Sequence, residues 1–140
     1  NNIFFTKVLK YKTYMILYFW VYIMATENGQ SNFLRGTMAM IILSLLDGED
    51  MYGYQLVQET TFSSGGRIST QEGSLYPVLY KLADQGYISD YKKLVGKRMT
   101  RVYYHLEPKG REYLLQMIQE YESTTEGIFQ IIRGGKNEKK

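Results

Sequence analysis

The stretch Ser69–Leu82, which reads STQEGSLYPVLYKL, decides the fold of this chain. Its apolar residues recur at helical spacing and form one inward stripe: Leu75, Val78, Leu79 and Leu82. Ser69 and Glu72 have the spacing of a capping box, which predicts a helix start at Ser69, and Gly86 follows as a stop signal. Pro77 lacks the N–H that a helix interior uses, so we expect a bend or a late helix start. The outward side carries Gln71, Ser74, Tyr76, Tyr80 and Lys81.

Two further helices precede this one in the sequence. Apolar residues at helical spacing predict one helix over residues 33–46 and another over residues 52–62. The earlier helix is apolar on nearly every face, so we expect part of it to pack against a second subunit; complete burial within one subunit is the alternative. Between the second and third helices, Arg67-Ile68 is a candidate short strand.

The sequence after the third helix predicts a β-hairpin and one more helix. Residues 87–92 and 101–106 alternate with period two, and a basic tip over residues 96–100 separates them. The last helix is expected from Pro108 to Ile132, because Pro suits a first helical position. One face of this helix has residues that recur every three or four positions, over more turns than a small domain can cover, which predicts that the helix pairs with another helix. The residues of this seam are Leu114, Met117, Tyr121, Thr124, Ile128 and Ile131.

Three helices followed by a hairpin is the order of a winged helix. We therefore predict a fold of the α+β class, mainly α: a winged helix-turn-helix with a two-stranded wing and a C-terminal dimerisation helix. The expected divisions are an atypical apolar segment over 1–25, a winged-helix DNA-binding domain over 33–106, a dimerisation helix over 107–133 and a charged tail over 134–140.

The segment 1–25 has two interpretations. Three lysines, Lys7, Lys10 and Lys12, precede the apolar run 14–25, as in a secretory signal or a membrane anchor, although no A-x-A cleavage site follows. In the alternative interpretation Met24 is the natural start, and residues 1–23 are read-through of upstream sequence, since their residue types are those that A/T-rich codons encode. We favour the second interpretation, and with it a cytoplasmic location and no membrane partner.

Composition excludes several functional classes. A chain of 140 residues with 44% hydrophobic side chains suits one ordinary core. The absence of Cys and the single His exclude disulfides, thiolate nucleophiles and zinc sites built on Cys. No Ser/His/acid, paired-carboxylate or glycine-cradle pattern is visible, and His105 falls on an alternating strand, where a structural role is expected. The sequence therefore predicts no enzyme, no catalytic residue, no metal and no cofactor.

A basic cluster over residues 91–111 points to nucleic acid, because it holds seven bases and one acid, Glu107. A basic hairpin beside a helix with polar side chains offers phosphate contacts for affinity and polar groups for base edges. Gln71 lies in the first helical turn and is best placed for a base edge, whereas Tyr76 reaches a phosphate or, alternatively, packs under the wing. The predicted contacts to double-stranded operator DNA are Gln71, Ser74, Tyr76, Tyr80 and Lys81 in the helix and Lys97, Arg98 and Arg101 in the wing.

The segment Gly73–Leu82, GSLYPVLYKL, followed by Gly86-Tyr87-Ile88, resembles the G-T-L-Y-P-x-L-x-R-L…G-L-I core of PadR-like regulators. Four further segments resemble motifs of the family. Tyr52–Leu56 resembles Y-G-Y-E-L, and Arg35-Gly36-Thr37 resembles R-G-x. Residues 97–104 resemble the wing with its R-x-Y-x-L ending, and Gly110-Arg111 resembles T-x-x-G-R. The resemblance covers residues 34 to about 132. Glu107 departs from the family's usual Thr before the last helix, and its carboxylate replaces a hydroxyl at the positive end of that helix.

The resemblance implies a homodimeric repressor that a small molecule releases from DNA. The single, short last helix is similar to that of the small PadR-like subgroup, in which dimerisation rests on this helix together with the first. We predict that an aromatic or otherwise flat effector binds at the dimer interface, on Met38, Met117, Tyr121 and Thr124.

Three alternatives remain open at this stage. The Met and Tyr residues of the seam could simply pack against their symmetry mates. The winged helix could bind protein instead of DNA, or the chain could be a membrane-anchored regulator that uses residues 3–25. The sequence leaves undetermined the operator, the effector, the regulated genes and the choice between repression and activation.

Overall fold

A computed structural model describes residues 16–17 and 32–137. The elements are α1 (Asn32–Gly48), β1 (Met51–Tyr52), α2 (Gly53–Ser63), α3 (Glu72–Asp84), β2 (Ile88–Val95), β3 (Met99–Leu106) and α4 (Pro108–Asn137). The predictions for the segment 1–25, residues 16 and 17 apart, and for the end of the tail lie outside the described residues. Within the described part of the chain, no helix is long and apolar enough to cross a membrane.

The predicted fold class is confirmed, with one strand more than expected. Strands β2 and β3 form the hairpin, and β1 pairs antiparallel with β3, so that the strand order is β1-β3-β2. A two-residue strand leaves no alternating pattern in the sequence, which is why it was missed. The candidate strand at Arg67-Ile68 was wrong, because Ser64 Oγ accepts a hydrogen bond from the Ile68 N–H at 3.0 Å and holds this segment in the turn after α2.

Helix α3 begins three residues later than predicted. Gln71 precedes it in extended conformation without a side-chain capping bond, so the predicted capping box at Ser69 was wrong. Thr70 is buried, and Gln71 follows in extended conformation with its carbonyl accepting the Ser74 N–H at 3.0 Å. The helix ends at Asp84, two residues before the predicted stop signal Gly86. Gly86 has a φ of +78°, and the Tyr87 N–H donates a hydrogen bond to the Leu82 carbonyl at 3.0 Å.

The core lies between the helices and the inner face of the sheet. Its completely buried side chains are Ile42, Leu43, Leu56, Leu75 and Leu79. Leu114 brings the start of α4 into this core, but Ile128 and Ile131 further along the helix are exposed. Helix α4 also continues through Gly134-Gly135, beyond the predicted end at Ile132, since a helical Gly costs only about 1 kcal/mol relative to Ala.

Candidate nucleic-acid interface

Helix α3 presents its predicted DNA-binding residues on two flanks. Ser74 and Lys81 are seven residues apart and share one flank, whereas Tyr76 and Tyr80 lie on the other. Gln71 is exposed and lies directly before the helix as its N-cap residue, so its predicted position in the first helical turn was wrong. The structure therefore brings Gln71, Ser74 and Lys81 to accessible or half-accessible positions along one helix.

Among the predicted DNA contacts of this helix, Tyr76 is partly buried and packs against a neighbouring helix. Its ring covers the start of α2, because a Cβ added to Gly53 would lie 2.7 Å from the Tyr76 hydroxyl oxygen. The Tyr76 ring also stacks on that of Tyr80, with 6.4 Å between the ring centroids. These contacts favour the packing interpretation of Tyr76 over a phosphate contact, although the packing is against α2 and not under the wing.

The tip of the wing is a tight turn that projects two bases into solvent. Gly96 adopts a φ of +69°, which only glycine enters without strain, and allows the chain to reverse between β2 and β3. Lys97 and Arg98 follow in the turn and are both exposed. No described acidic side chain forms an ion pair with either of them, so their positive charge is available to an external anion.

Arg101 lies behind the tip of the wing and is partly buried. It lies on β3, and its guanidinium is 4.3 Å from the centre of the Tyr52 ring on the neighbouring strand β1. Cross-strand pairing places Lys93 directly opposite, and the Lys93 ammonium lies 5.3 Å from the centre of the Tyr103 ring. Two like charges side by side repel each other unless something compensates them, and here each cation lies over an aromatic face.

These side chains form one surface, the outer sheet face, which consists of Tyr52, Tyr91, Lys93, Arg101 and Tyr103. Tyr52 and Tyr91 both pair with Tyr103 across the strands, and their ring centroids lie 5.5 and 5.7 Å from that of Tyr103. Lys93 belongs to the basic run visible in the sequence, so the run could have identified it. Tyr52 was missed because its contact with Arg101 depends on the unpredicted strand β1.

Asp50 connects the loop before β1 to the edge of this surface. Its carboxylate accepts hydrogen bonds from the Tyr91 hydroxyl at 2.8 Å and from His105 Nδ1 at 2.7 Å. Partial burial raises the pKa of Asp50, but these hydrogen bonds and the attraction of His105 outweigh that effect, so the net pKa lies below its usual range. The hydrogen bond to Asp50 raises the pKa of Tyr91. A structural role for His105 stays a prediction, and the hydrogen bond to Asp50 is the contact that supports it.

A second candidate site is a groove between α1 and α4 with a volume of 370 Å³. Its lining residues are Gly36, Thr37, Met40, Tyr113, Gln116, Met117, Glu120, Tyr121 and Thr124. Three of the four predicted effector-binding residues, Met117, Tyr121 and Thr124, are among them. Met38 is not: it points into the core with 3% of its surface exposed, and Met40, two residues further along α1, lines the groove instead.

The fold and the site together define a winged-helix protein. Among the described side chains, no group of three or more His, Cys, Asp or Glu residues is placed to hold a metal ion. The family model for the transcriptional regulator PadR-like family matches residues 42–116, more than half of the chain. The chain belongs to this family, whose members are transcriptional regulators and not enzymes.

Solved structures show the same architecture. The chain is similar to a transcriptional regulator from Clostridium thermocellum at 32% identity, with a TM-score of 0.66 and coverage of 73% of this chain and 96% of the other. A PadR family regulator from Eggerthella lenta is 28% identical, with a TM-score of 0.63 and coverage of 71% and 85%. Bacillus subtilis PadR, solved in complex with operator DNA, is 26% identical, with a TM-score of 0.55 and coverage of 59% and 46%. The chain thus spans about half of the Bacillus protein and nearly all of the Clostridium protein.

Proposed function

We propose that this protein is a cytoplasmic, sequence-specific transcriptional repressor that binds operator DNA as a homodimer and responds to a small aromatic effector. Residues 33–106 form the DNA-binding domain, with α3 as the recognition helix in the major groove and the wing against the phosphate backbone. Residues 107–133, of which 108–133 lie within α4, form the dimerisation helix. The alternatives are a protein-binding module and a membrane-anchored regulator; the latter rests on residues 3–25, which apart from residues 16 and 17 lie outside the described residues.

The observation that carries the proposal is the exposed basic wing beside a recognition helix, in a chain that shares its fold with Bacillus subtilis PadR, itself solved with operator DNA. Lys97 and Arg98 hold their charges in an exposed turn, and Arg101 holds its charge on the sheet behind them. Phosphate neutralisation by such groups supplies affinity that does not depend on base sequence.

The recognition helix supplies specificity in this proposal. Gln71, exposed at the start of α3, has the amide that pairs with an adenine edge, and Ser74 and Lys81 contact the neighbouring backbone or bases. Tyr80 contacts DNA from the opposite flank. Tyr76 contributes indirectly, because its ring packs α3 against the start of α2.

Dimerisation and effector binding involve the other side of the molecule. Helix α4 extends beyond its own core with Ile128, Ile131 and Ile132 exposed, and such an apolar end is expected to pair with a second copy. A symmetric dimer places two recognition helices at half-sites about 34 Å apart. An effector in the groove between α1 and α4 would change this separation, and operator affinity would fall.

The test of DNA binding compares operator with random duplex DNA over a range of salt concentrations. Replacing Lys97, Arg98 and Arg101 by Ala should weaken binding to both DNAs equally and reduce the salt slope by about one unit per lost phosphate contact. A control variant with Ala at Lys136, Lys139 and Lys140 loses the same net charge from the end of the chain. Equal effects of the two variants would exclude a specific role of the wing.

The specificity arm of the same experiment uses Gln71→Ala. This change should cost about 1–3 kcal/mol on the operator and little on random DNA, since a lost base contact affects only the sequence that offers that base. Equal losses on both DNAs would mean that Gln71 binds the backbone. Absence of any salt-dependent DNA affinity in the unchanged protein would favour the protein-binding module.

A further inference from the structure

We propose that the outer sheet face binds single-stranded DNA, with one base stacked on the Tyr91 ring and the adjoining phosphates held by Lys93 and Arg101. This site is separate from the recognition helix and from the tip of the wing, which the proposed function assigns to duplex DNA. Three features of the face carry the proposal: a ring held flat, a second ring parallel to it, and two cations beside them.

Tyr91 is held flat on the sheet by a hydrogen bond that reaches across a strand. It lies on β2, whereas Asp50 directly precedes β1, and β3 runs between these two strands. The Tyr91 hydroxyl donates to the Asp50 carboxylate at 2.8 Å, although β1 and β2 are two strand spacings apart, about 10 Å. The two side chains meet only when they lie along the sheet. Tyr91 therefore presents a ring face to solvent, and 41% of its surface is exposed.

The ring of Tyr103 extends this flat surface. Its plane makes an angle of 16° with that of Tyr91, and 5.7 Å separates the two centroids. The carboxylate that holds Tyr91 is itself fixed, because Asp50 also accepts a hydrogen bond from His105 at 2.7 Å. A ring that is fixed before binding loses little side-chain freedom when a base stacks on it.

Two cations border the rings. Lys93 and Arg101 pair across the strands, two residues along from Tyr91 and Tyr103 and so about 7 Å away. Their charged groups lie over the rings of Tyr103 and Tyr52, which keeps them on this face. Neither cation forms an ion pair with an acidic side chain in the described part of the chain. A strand with a base on Tyr91 would have its phosphates beside these two charges.

This combination selects among the possible occupants. Proteins that bind single strands without sequence preference stack bases on aromatic side chains and hold the backbone on a positive surface. A duplex cannot use the ring, because its bases already stack on one another, and an acidic peptide would use the cations and leave the ring face empty. Both carboxylate oxygens of Asp50 already accept hydrogen bonds, so this group does not select the 2′-hydroxyl of RNA. The occupant is therefore DNA.

The experiment measures fluorescence anisotropy of labelled strands with the unchanged full-length protein. The probes are oligothymidylate of about 12 nucleotides, an abasic strand with the same number of phosphates, and oligouridylate of the same length. Oligothymidylate should bind about fivefold or more tightly than the abasic strand, since only the former has bases to stack. Oligouridylate should bind no more tightly than oligothymidylate.

A first pair of variants tests the ring. Tyr91→Leu should lower the affinity for oligothymidylate about fivefold or more and leave the affinities for the abasic strand and for operator duplex unchanged. Tyr54→Leu is the matched control, because it removes a tyrosine that is 52% exposed on α2, outside the outer sheet face. It should change none of these affinities. Unchanged duplex binding also shows that Tyr91→Leu is folded.

A second pair of variants tests the cations. Lys93→Gln should weaken oligothymidylate and the abasic strand alike and reduce the salt slope by about 0.7 unit, the value for one phosphate contact of a single strand. Lys92→Gln removes the same charge from the next residue of β2, whose side chain lies on the opposite face of the sheet. It should leave the salt slope for single strands unchanged.

Each contrary result overturns a stated part of the proposal. Equal affinities for oligothymidylate and the abasic strand would mean that the face holds phosphates without stacking a base. A tenfold preference for oligouridylate would replace DNA by RNA as the occupant. Displacement of oligothymidylate by oligoglutamate of equal charge would make the face an acidic-peptide site. Unchanged single-strand binding in Tyr91→Leu, with operator binding retained, would exclude this site and leave the proposed function intact.

Discussion

Gly110 is the residue at which α4 approaches the turn after α3 most closely. A Cβ at this position would overlap the Tyr87 carbonyl oxygen and lie 2.8 Å from Leu106 Cδ1. The carbonyl belongs to the backbone, and it already accepts the Glu107 N–H at 3.0 Å, so it has little freedom to move. The side-chain-free residue here is therefore a packing requirement of the fold.

We predict opposite effects for the same substitution at two glycines of α4. Gly110→Ala should lower the free energy of unfolding by about 1–3 kcal/mol, because the new methyl group overpacks a backbone contact. At Gly127 no atom lies within 4 Å of the new Cβ, so Gly127→Ala should raise the free energy of unfolding by up to about 1 kcal/mol, because Ala has the higher helix propensity. Urea denaturation measures both. A neutral or stabilising Gly110→Ala would contradict the close approach.

Asp50 gives the molecule a pH dependence at the residue scale. Because its pKa in the folded state is lowered, the carboxylate contributes stability that is present above the unfolded pKa of about 4 and is lost as the pH falls through the lower folded value. We predict that the stability difference between wild type and Asp50→Asn shrinks as the pH falls from 5 to 2.5. Glu49→Gln, a change at the neighbouring exposed acid, serves as the control, and a difference that stays constant with pH would contradict the prediction.

At the scale of elements, the contact between Tyr87 and Tyr113 joins the turn after α3 to α4. The rings stack with 4.3 Å between centroids and an angle of 5° between planes. Lys109 lies over the Tyr87 ring at 5.1 Å and donates a hydrogen bond to the Gln85 carbonyl at 2.8 Å. Tyr113 also lines the groove, so the same ring contacts both the proposed effector site and the turn that follows α3.

We predict a measurable coupling between these two rings. A double-mutant cycle of Tyr87→Leu and Tyr113→Leu should give a coupling energy of about 0.5–1.5 kcal/mol in the free energy of unfolding. The cycle of Tyr87→Leu with Leu115→Ala is the control, because Leu115 is exposed and projects from a different side of α4. Equal coupling in both cycles would mean that the stack contributes nothing beyond helix stability.

At the scale of the whole molecule, the exposed end of α4 determines the expected assembly. Ile128→Glu places a charge on the apolar seam and should convert the proposed dimer to monomer at micromolar concentration, with a loss of operator affinity, since two linked half-sites bind far more tightly than one. Gln130→Glu adds the same charge two residues further on, about 200° around the helix, and should leave the dimer intact. Analytical ultracentrifugation checks both variants, and a dimeric Ile128→Glu would place the interface elsewhere.

The sequence by itself determined the helices, the hairpin and the family, because these depend on local periodicity and on short motifs such as GSLYPVLYKL. It also placed the basic residues of the wing, and three of the four residues predicted to bind an effector do line the groove, since residues three and four apart share a helix face. The tertiary structure decided what depends on contacts distant in sequence. It paired the two-residue strand β1 with β3, which set the position of Arg101 over Tyr52, and it buried Met38 while exposing Met40 to the groove. Periodicity specifies which face a residue occupies, but only the packing of elements specifies what that face meets.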